Sequence, residues 1–270
     1  MPRIALVVSD VDGTLLTKDK LLTDRARNAA LQLEAAGIAF TLTSSRPAIG
    51  MRFLVEPLQI KLPVGPFNGS SIIDPTMRPI EQSLISASAA ERCLDILNQF
   101  GVDIWLFTNE AWLTRNPDGD YVPNEKLAIR ADPTIIGDFS PYVSSACKIV
   151  GSSTDFELLV RCESAMREAL GTQATAVRSQ NYYLDITPPG HDKGTFVKTI
   201  AQRLGIPLEA VATIGDMHND VAMFKTSGLS IAMGNASDEV KRYANHVTTS
   251  NEDEGFANAM EMILRENAKG

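Results

Sequence analysis

An apolar run, Ile4-Ala5-Leu6-Val7-Val8, stops at Ser9-Asp10-Val11-Asp12-Gly13-Thr14, and little else in the chain limits its possible folds as much. A short, nearly continuous apolar run reads as a parallel strand buried on both faces. It is too short for a signal peptide and has no small-residue cleavage site. Two carboxylates two residues apart at the end of such a strand can point into one space, where they repel unless a cation lies between them. Mg²⁺ suits this role, because it takes oxygen ligands and commonly binds one or two carboxylates plus a substrate phosphate. A metal-held aspartate is poised as a nucleophile, and the next one as an acid and then a base. Read alone, Asp-x-Asp-Gly can also be a surface turn. A Ca²⁺ loop would need later oxygen positions and a closing Glu, which are missing here.

The strand opens an alternating pattern. A helix is predicted from about Thr23, an N-cap candidate, to Ala36, stopped by Gly37. Strand Ile38–Thr43 comes next, then a helix opened by Pro47. Phe67-Asn68-Gly69 and the stretch to Leu84 read as a short strand and a hairpin. Toward the other end come helix Lys193–Leu204, strand Val211–Ile214, helix Asp220–Lys225 and strand Ser230–Ala232. A short helix near Asp238–Ala244 and a last one over Glu254–Arg265 complete the pattern. Such alternation predicts a Rossmann-like parallel sheet wrapped on both faces.

The middle differs. Helix Ala87–Phe100 precedes two adjacent strands, Val102–Phe107 and Ala111–Thr114, and a polar, Pro-rich stretch over Asn116–Pro141. Strand Cys147–Val150, helix Asp155–Leu170 and two strands, Ala174–Arg178 and Tyr182–Ile186, complete it. Neighbouring strands predict an antiparallel sheet with helices on one face. The expected organisation is therefore a core of residues 1–84 plus 189–270, with an inserted α+β domain over 85–188.

Three further motifs come after predicted strands or open predicted helices of the outer unit, and ligands of an open parallel sheet bind at the carboxyl ends of its strands. Thr43-Ser44-Ser45-Arg46-Pro47 offers a hydroxyl at a helix N-terminus, which is either a phosphate-binding arrangement or plain capping. Lys193, in His191-Asp192-Lys193-Gly194, is a surface lysine or a cation neutralising clustered aspartates and a transferring phosphoryl group. Ile214-Gly215-Asp216-Met217-His218-Asn219-Asp220 adds two carboxylates that a metal could use, or that cap the next helix. Asn219 could hold a phosphate oxygen. His191 and His218 are read as loop histidines.

Together and in this order, these motifs resemble the haloacid dehalogenase (HAD) superfamily, whose pattern is DxDGT, a Ser/Thr, a Lys, and GDxxxD or GDxxND. The long insertion and the Gly-Asp-x-x-Asn-Asp form are similar to its Cof-type group, as are Phe67-Asn68-Gly69-Ser70 and Tyr183–Pro188. The resemblance spans essentially the whole chain. It implies the HAD fold with an inserted cap, and a Mg²⁺-dependent phosphatase making a phosphoryl-aspartate. Asp10 would be the nucleophile and Asp12 the acid/base. Asp10, the Asp12 backbone carbonyl and Asp216 would hold Mg²⁺, with Asp220 in support. Ser44 and Lys193 would hold the phosphate, with Arg46 and Asn219 also binding substrate. The cap is expected to close over the site, exclude water and select the substrate. One departure stands out: the group usually shows Ala-Thr-Gly-Arg where this chain has Thr43-Ser44-Ser45-Arg46, which keeps the hydroxyl and replaces a glycine.

Composition is ordinary for a globular protein. With 270 residues and 44% hydrophobic content the chain can bury a sizeable core, and a net charge of −8 argues against nucleic-acid or anionic-membrane partners. No segment approaches the ~18 apolar residues of a membrane-spanning helix, so a cytoplasmic protein is expected. Cys93, Cys147 and Cys162 are far apart and read as buried thiols. The resemblance implies as partner a small phosphorylated metabolite such as a sugar phosphate. The rival readings are a phosphosugar mutase of the same superfamily and a non-enzymatic metabolite sensor on this fold.

Overall fold

The computed structural model describes residues 3–269. They gather into two compact units. One comprises the chain up to Ser45, the segment Arg52–Ile80 and the chain from Asp192 onward, while the other comprises Arg46–Met51 and Glu81–His191.

The first unit is built on a five-stranded parallel sheet. Its strand order is His246–Val247, Leu229–Ala232, Val211–Gly215, Leu6–Ser9, Ala39–Leu42. Leu6–Ser9 lies inside the sheet and is buried throughout, as its apolar run requires. The helix Lys193–Leu204 lays Phe196, Val197 and Ile200 against Leu6, Val8 and Val211 in one apolar cluster. The terminal helix Gly255–Asn267 brings Phe256 to 5.9 Å from the Phe40 ring. It also packs on helix Asp24–Ala35, whose N-cap Thr23 accepts a bond from the Ala26 amide. The short last strand, His246–Val247, has too few residues to show a period in sequence.

The second unit carries a six-stranded sheet ordered Thr134–Ile135, Trp112–Thr114, Asp103–Phe107, Lys148–Ser152, Tyr183–Thr187, Thr175–Gln180. All neighbours are antiparallel except the first pair, which is parallel. Helices Ala87–Phe100 and Phe156–Leu170 cover one face, where Cys93, Leu97, Leu159, Cys162 and Met166 pack with Ile104, Leu106, Ile149 and Leu184. All three cysteines are free and buried, and burial pushes Cys93 to about 12 and Cys147 and Cys162 to about 11. The opposite face carries Trp105, Phe107 and Trp112, with Trp112 in ring contact with both of the others, and a buried Lys148–Asp185 ion pair at 2.7 Å. The strand expected at Cys147–Val150 is observed as Lys148–Ser152, which belongs to this sheet and not to the one that precedes Asp10.

One local expectation is corrected. Phe67–Gly69 is a tight helical turn and not a strand, because its residues take positive φ. The polar, Pro-rich stretch over 116–141, to which no element is assigned from sequence, contains helix Val122–Ile129, with Pro123 in its first turn and Arg130 in a left-handed C-cap. Its helical periodicity is too weak to read from sequence.

Candidate active site

Strand register sets the site. Ser9 pairs with Ile214 on one side and Leu42 on the other, so the residues leaving these three strands emerge at one level. That level holds Asp10, Thr43-Ser44 and Gly215-Asp216. The Asp10 amide continues the ladder to the Ile214 carbonyl at 3.0 Å, and Thr43 N–H bonds Ser9 O at 2.9 Å. Lys193 arrives from the first turn of its helix, which Asp192 caps by accepting from the Thr195 amide.

The carboxylates of Asp10, Asp216 and Asp220 each offer an oxygen within 4.8 Å of the others, and all three residues are buried. Lys193 Nζ, on a side chain 1% exposed, stands 2.6 Å from Asp10 Oδ1 and 2.6 Å from Asp220 Oδ1. Asp220 Oδ2 accepts the backbone amides of Asp216 and Met217, both at 2.8 Å. Three donors therefore converge on Asp220, which ties the Gly215–Asp220 loop to Lys193. Asp216 Oδ1 accepts from Thr14 Oγ1 at 3.0 Å, and its Oδ2 from Asn235 Nδ2 at 3.2 Å. The backbone of Gly13, at φ +75°, passes so close that a Cβ would lie 2.4 Å from Asp216 Oδ2. Glycine is required there on both counts.

The electrostatics arise from this crowding. Burial raises Asp10 well above the ordinary carboxylate range, and the charges of Asp220 and Asp216 add to it against the opposing effect of Lys193. Asp216 is pushed up to about 7, first by burial and then by the Asp220 charge, while the Thr14 hydroxyl pulls it down. For Lys193, burial favours the neutral amine, but the charges and hydrogen bonds of Asp10 and Asp220 overcome this and raise it. Carboxylates that resist ionising beside one another fit a divalent-cation site: with the ion bound, all three could be charged.

Asp12, by contrast, is half-buried and outside the three-carboxylate cluster, with Oδ1 2.7 Å from Lys20 Nζ. Ser44 is buried, its amide bonded to Gly65 O and its carbonyl accepting from Asn68 N–H. Asn219 donates from Nδ2 to Asn68 Oδ1 at 3.0 Å. Arg46 groups with the second unit, where its guanidinium donates to the Gly50 and Ala128 carbonyls. His191 and His218 are exposed. Thr14, Lys20, Asn68 and Asn235 join the site, and sequence reasoning misses all four. Thr14 stands inside the first motif and Asn68 inside the Asn-Gly stretch, but a side-chain partner some 150 or 200 positions away leaves no local signal.

A family model for haloacid dehalogenase-like hydrolases matches residues 7–260. The chain belongs to this family. It is 27% identical over 258 residues to the 5-amino-6-(5-phospho-D-ribitylamino)uracil phosphatase YcsE of Bacillus subtilis (strain 168), covering 95% of this chain and 94% of that one. It is 23% identical over 262 residues to the pyridoxal phosphate phosphatase YbhA of Escherichia coli (strain K12), covering 93% and 96%. The crystal structure of a haloacid dehalogenase-like hydrolase from Bacteroides thetaiotaomicron matches it with a TM-score of 0.90 at 27% identity, over 96% of this chain and 99% of that one. Its fold is therefore the HAD fold, a parallel-sheet core with an inserted α+β unit, and the enzyme is a phosphatase. Among the described residues no helix is long and apolar enough to cross a membrane.

Proposed function

We propose that this HAD phosphatase hydrolyses a small phosphorylated metabolite, a sugar phosphate or similar monoester, through a phosphoryl-aspartate on Asp10 and with Mg²⁺. One observation carries the reading: three buried carboxylates within 4.8 Å share a site with one buried lysine, at the carboxyl ends of adjacent parallel strands. Mg²⁺ would be held by Asp10, the Asp12 carbonyl and Asp216, with Asp220 in support, and would neutralise charge on the phosphoryl oxygens.

Lys193 engages Asp10 at Oδ1, which leaves Oδ2 as the attacking oxygen. In the first step the Asp10 Oδ2–P bond forms as the ester P–O bond breaks, and the Asp12 carboxyl gives its proton to the leaving alkoxide. In the second, Asp12 takes a proton from water as the water oxygen bonds to phosphorus and the aspartyl O–P bond breaks. Asp12 ends protonated, as it began. Lys20 holds the Asp12 side chain between these steps. Lys193 and the Ser44 hydroxyl hold phosphoryl oxygens, Asn219 assists, and Asp220 keeps Lys193 in place.

The division into a catalytic core, 1–84 plus 189–270, and a cap, 85–188, belongs to the same proposal, as does a cytoplasmic setting, which suits three free, buried thiols. The test is a panel of phosphorylated metabolites assayed for free phosphate with Mg²⁺, including the substrates for which the two relatives are named. Release of phosphate from a single sugar phosphate supports hydrolysis. Transfer to a second sugar hydroxyl, with no free phosphate, would replace it with a mutase.

A further inference from the structure

A fifth segment, Phe67-Asn68-Gly69, touches three of the motif-bearing loops. Its three residues have φ of 53°, 57° and 85° in succession. Non-glycine residues in the left-handed region cost of order 1–3 kcal/mol each and persist only where their surroundings over-determine them. Asparagine tolerates that conformation well; phenylalanine does not.

The surroundings here are specific. Asn68 N–H donates to the Ser44 carbonyl at 2.7 Å. Asn68 Oδ1 accepts from Asn219 Nδ2 at 3.0 Å. A Cβ on Gly69 would lie 2.6 Å from Phe196 Cβ, one turn after Lys193. The turn is thus seated on the Ser44 loop, the Lys193 helix and the Asn219 loop. Asn219 Oδ1 is buried with no hydrogen-bond partner. Among the described residues, the bond to Asn68 is therefore the one that orients the Asn219 amide.

We propose that Asn68 is a positioning residue of the phosphate-ester site: its side chain sets the Asn219 amide while its backbone fixes the Ser44 loop, before substrate binds. The inference rests on the phosphatase reading of that site. Amides and hydroxyls that must meet a phosphoryl group within a fraction of an ångström need such support, because misplacement by about 1 Å can remove a hundredfold in rate.

Asn68→Gly is the informative variant, since glycine adopts the positive φ freely and only the amide is lost. Asn219→Ala and the double variant complete a cycle, assayed on p-nitrophenyl phosphate with Mg²⁺. Each single change should lower kcat/KM about 10- to 100-fold, with the circular dichroism spectrum unchanged. The double variant should be no worse than the poorer single, because one interaction is removed twice. Parental kcat/KM in Asn68→Gly, or losses that multiply, would overturn the proposal. In the unaltered protein the Asn219 side-chain ¹⁵N amide resonances should lie away from free-amide positions, and a free-amide spectrum would overturn it without any variant. If the parent hydrolysed no phosphate ester, the phosphatase reading would fail instead, and the resonances would still decide the Asn68–Asn219 contact.

Discussion

Lys193 Nζ lies 2.6 Å from Asp10 Oδ1, with the two side chains 1% and 6% exposed. The same ammonium lies 2.6 Å from Asp220 Oδ1, whose side chain is fully buried. One cation therefore faces two anions in a space almost closed to solvent, and a third carboxylate, Asp216, is close by. The partial neutralisation that results holds the site together and leaves a net negative charge suited to a divalent ion.

Lys193→Met should cost both stability and activity. Removing one partner of a buried, hydrogen-bonded charge pair typically costs about 3–5 kcal/mol, because the other charge stays buried. Urea denaturation of the metal-free variant should show that loss at pH 8. It should be smaller at pH 5, where Asp10 and Asp216, both raised, take up protons. The rate should drop by at least about 10²–10³-fold. A variant as stable as the parent at pH 8 would mean that Lys193 does not offset the aspartates.

Asp10→Asn should abolish turnover without unfolding the chain. A carboxamide cannot attack phosphorus, yet it fills the same volume and removes one member of a repelling group. Metal-free thermal stability should therefore equal or exceed the parent's. Retention of more than about a tenth of the parental rate would rule out the covalent route, since loss of an acid/base alone typically costs ~10²–10⁴.

How much of this is legible in the sequence depends on how local the cause is. Helices Ala87–Phe100 and Lys193–Leu204 are found at the bounds expected of them, and the structure gives a local reason: Ser86 and Asp192 cap their starts, and Gly101 and Gly205 take left-handed φ at their ends. Asp10, Ser44, Lys193 and Asp216 can be found because short motifs at strand ends and a helix start carry them, and parallel register does the rest. Arg46 shows the limit. It sits two residues after Ser44, but its bonded partners include Ala128, 82 positions away. Thr14, Asn68 and Asn235 meet their partners 202, 151 and 19 positions away, so only the fold reveals what they do.

Metal and pH should be linked through Asp216. Its carboxyl titrates at about 7 in the metal-free fold, against an ordinary value of 3.8. Between those values the native state binds more protons than the unfolded chain, so metal-free stability should fall as pH rises from about 4 through 7. The slope from one proton is at most about 1.4 kcal/mol per pH unit. Asp216→Asn lacks this contribution, so the parent should lose stability relative to it between pH 5 and pH 8 in EDTA. Saturating Mg²⁺ should restore the parent at pH 8, and its affinity should weaken as the solution is acidified below 7. EDTA should also remove activity. A parent-to-variant difference independent of pH would show that Asp216 is not held protonated.

Thr14→Val tests whether metal affinity depends on how Asp216 is held. Thr14 is 1% exposed, and its hydroxyl donates to Asp216 Oδ1 at 3.0 Å, from the loop that also carries Asp10 and Asp12. Valine has nearly the same shape and packs in the same buried space, but it cannot donate. The substitution has two effects. The Asp216 carboxyl loses a bond that lowers it, so it should titrate higher still and compete less well for a cation at neutral pH. It is also left with the Asn235 amide, at 3.2 Å, as its remaining side-chain donor among the described residues. Losing a group that orients a metal-binding carboxylate typically weakens metal binding 10–100-fold, so the Mg²⁺ concentration for half-maximal rate should rise by about that factor. The maximal rate at saturating Mg²⁺ should stay within a few-fold of the parent, because Asp10, Asp12 and Lys193 are untouched. Titrating Mg²⁺ at pH 7 and again at pH 8.5 separates the two effects, since the protonation part should shrink at the higher pH. An unchanged Mg²⁺ requirement at both pH values would show that the Thr14 bond serves packing alone.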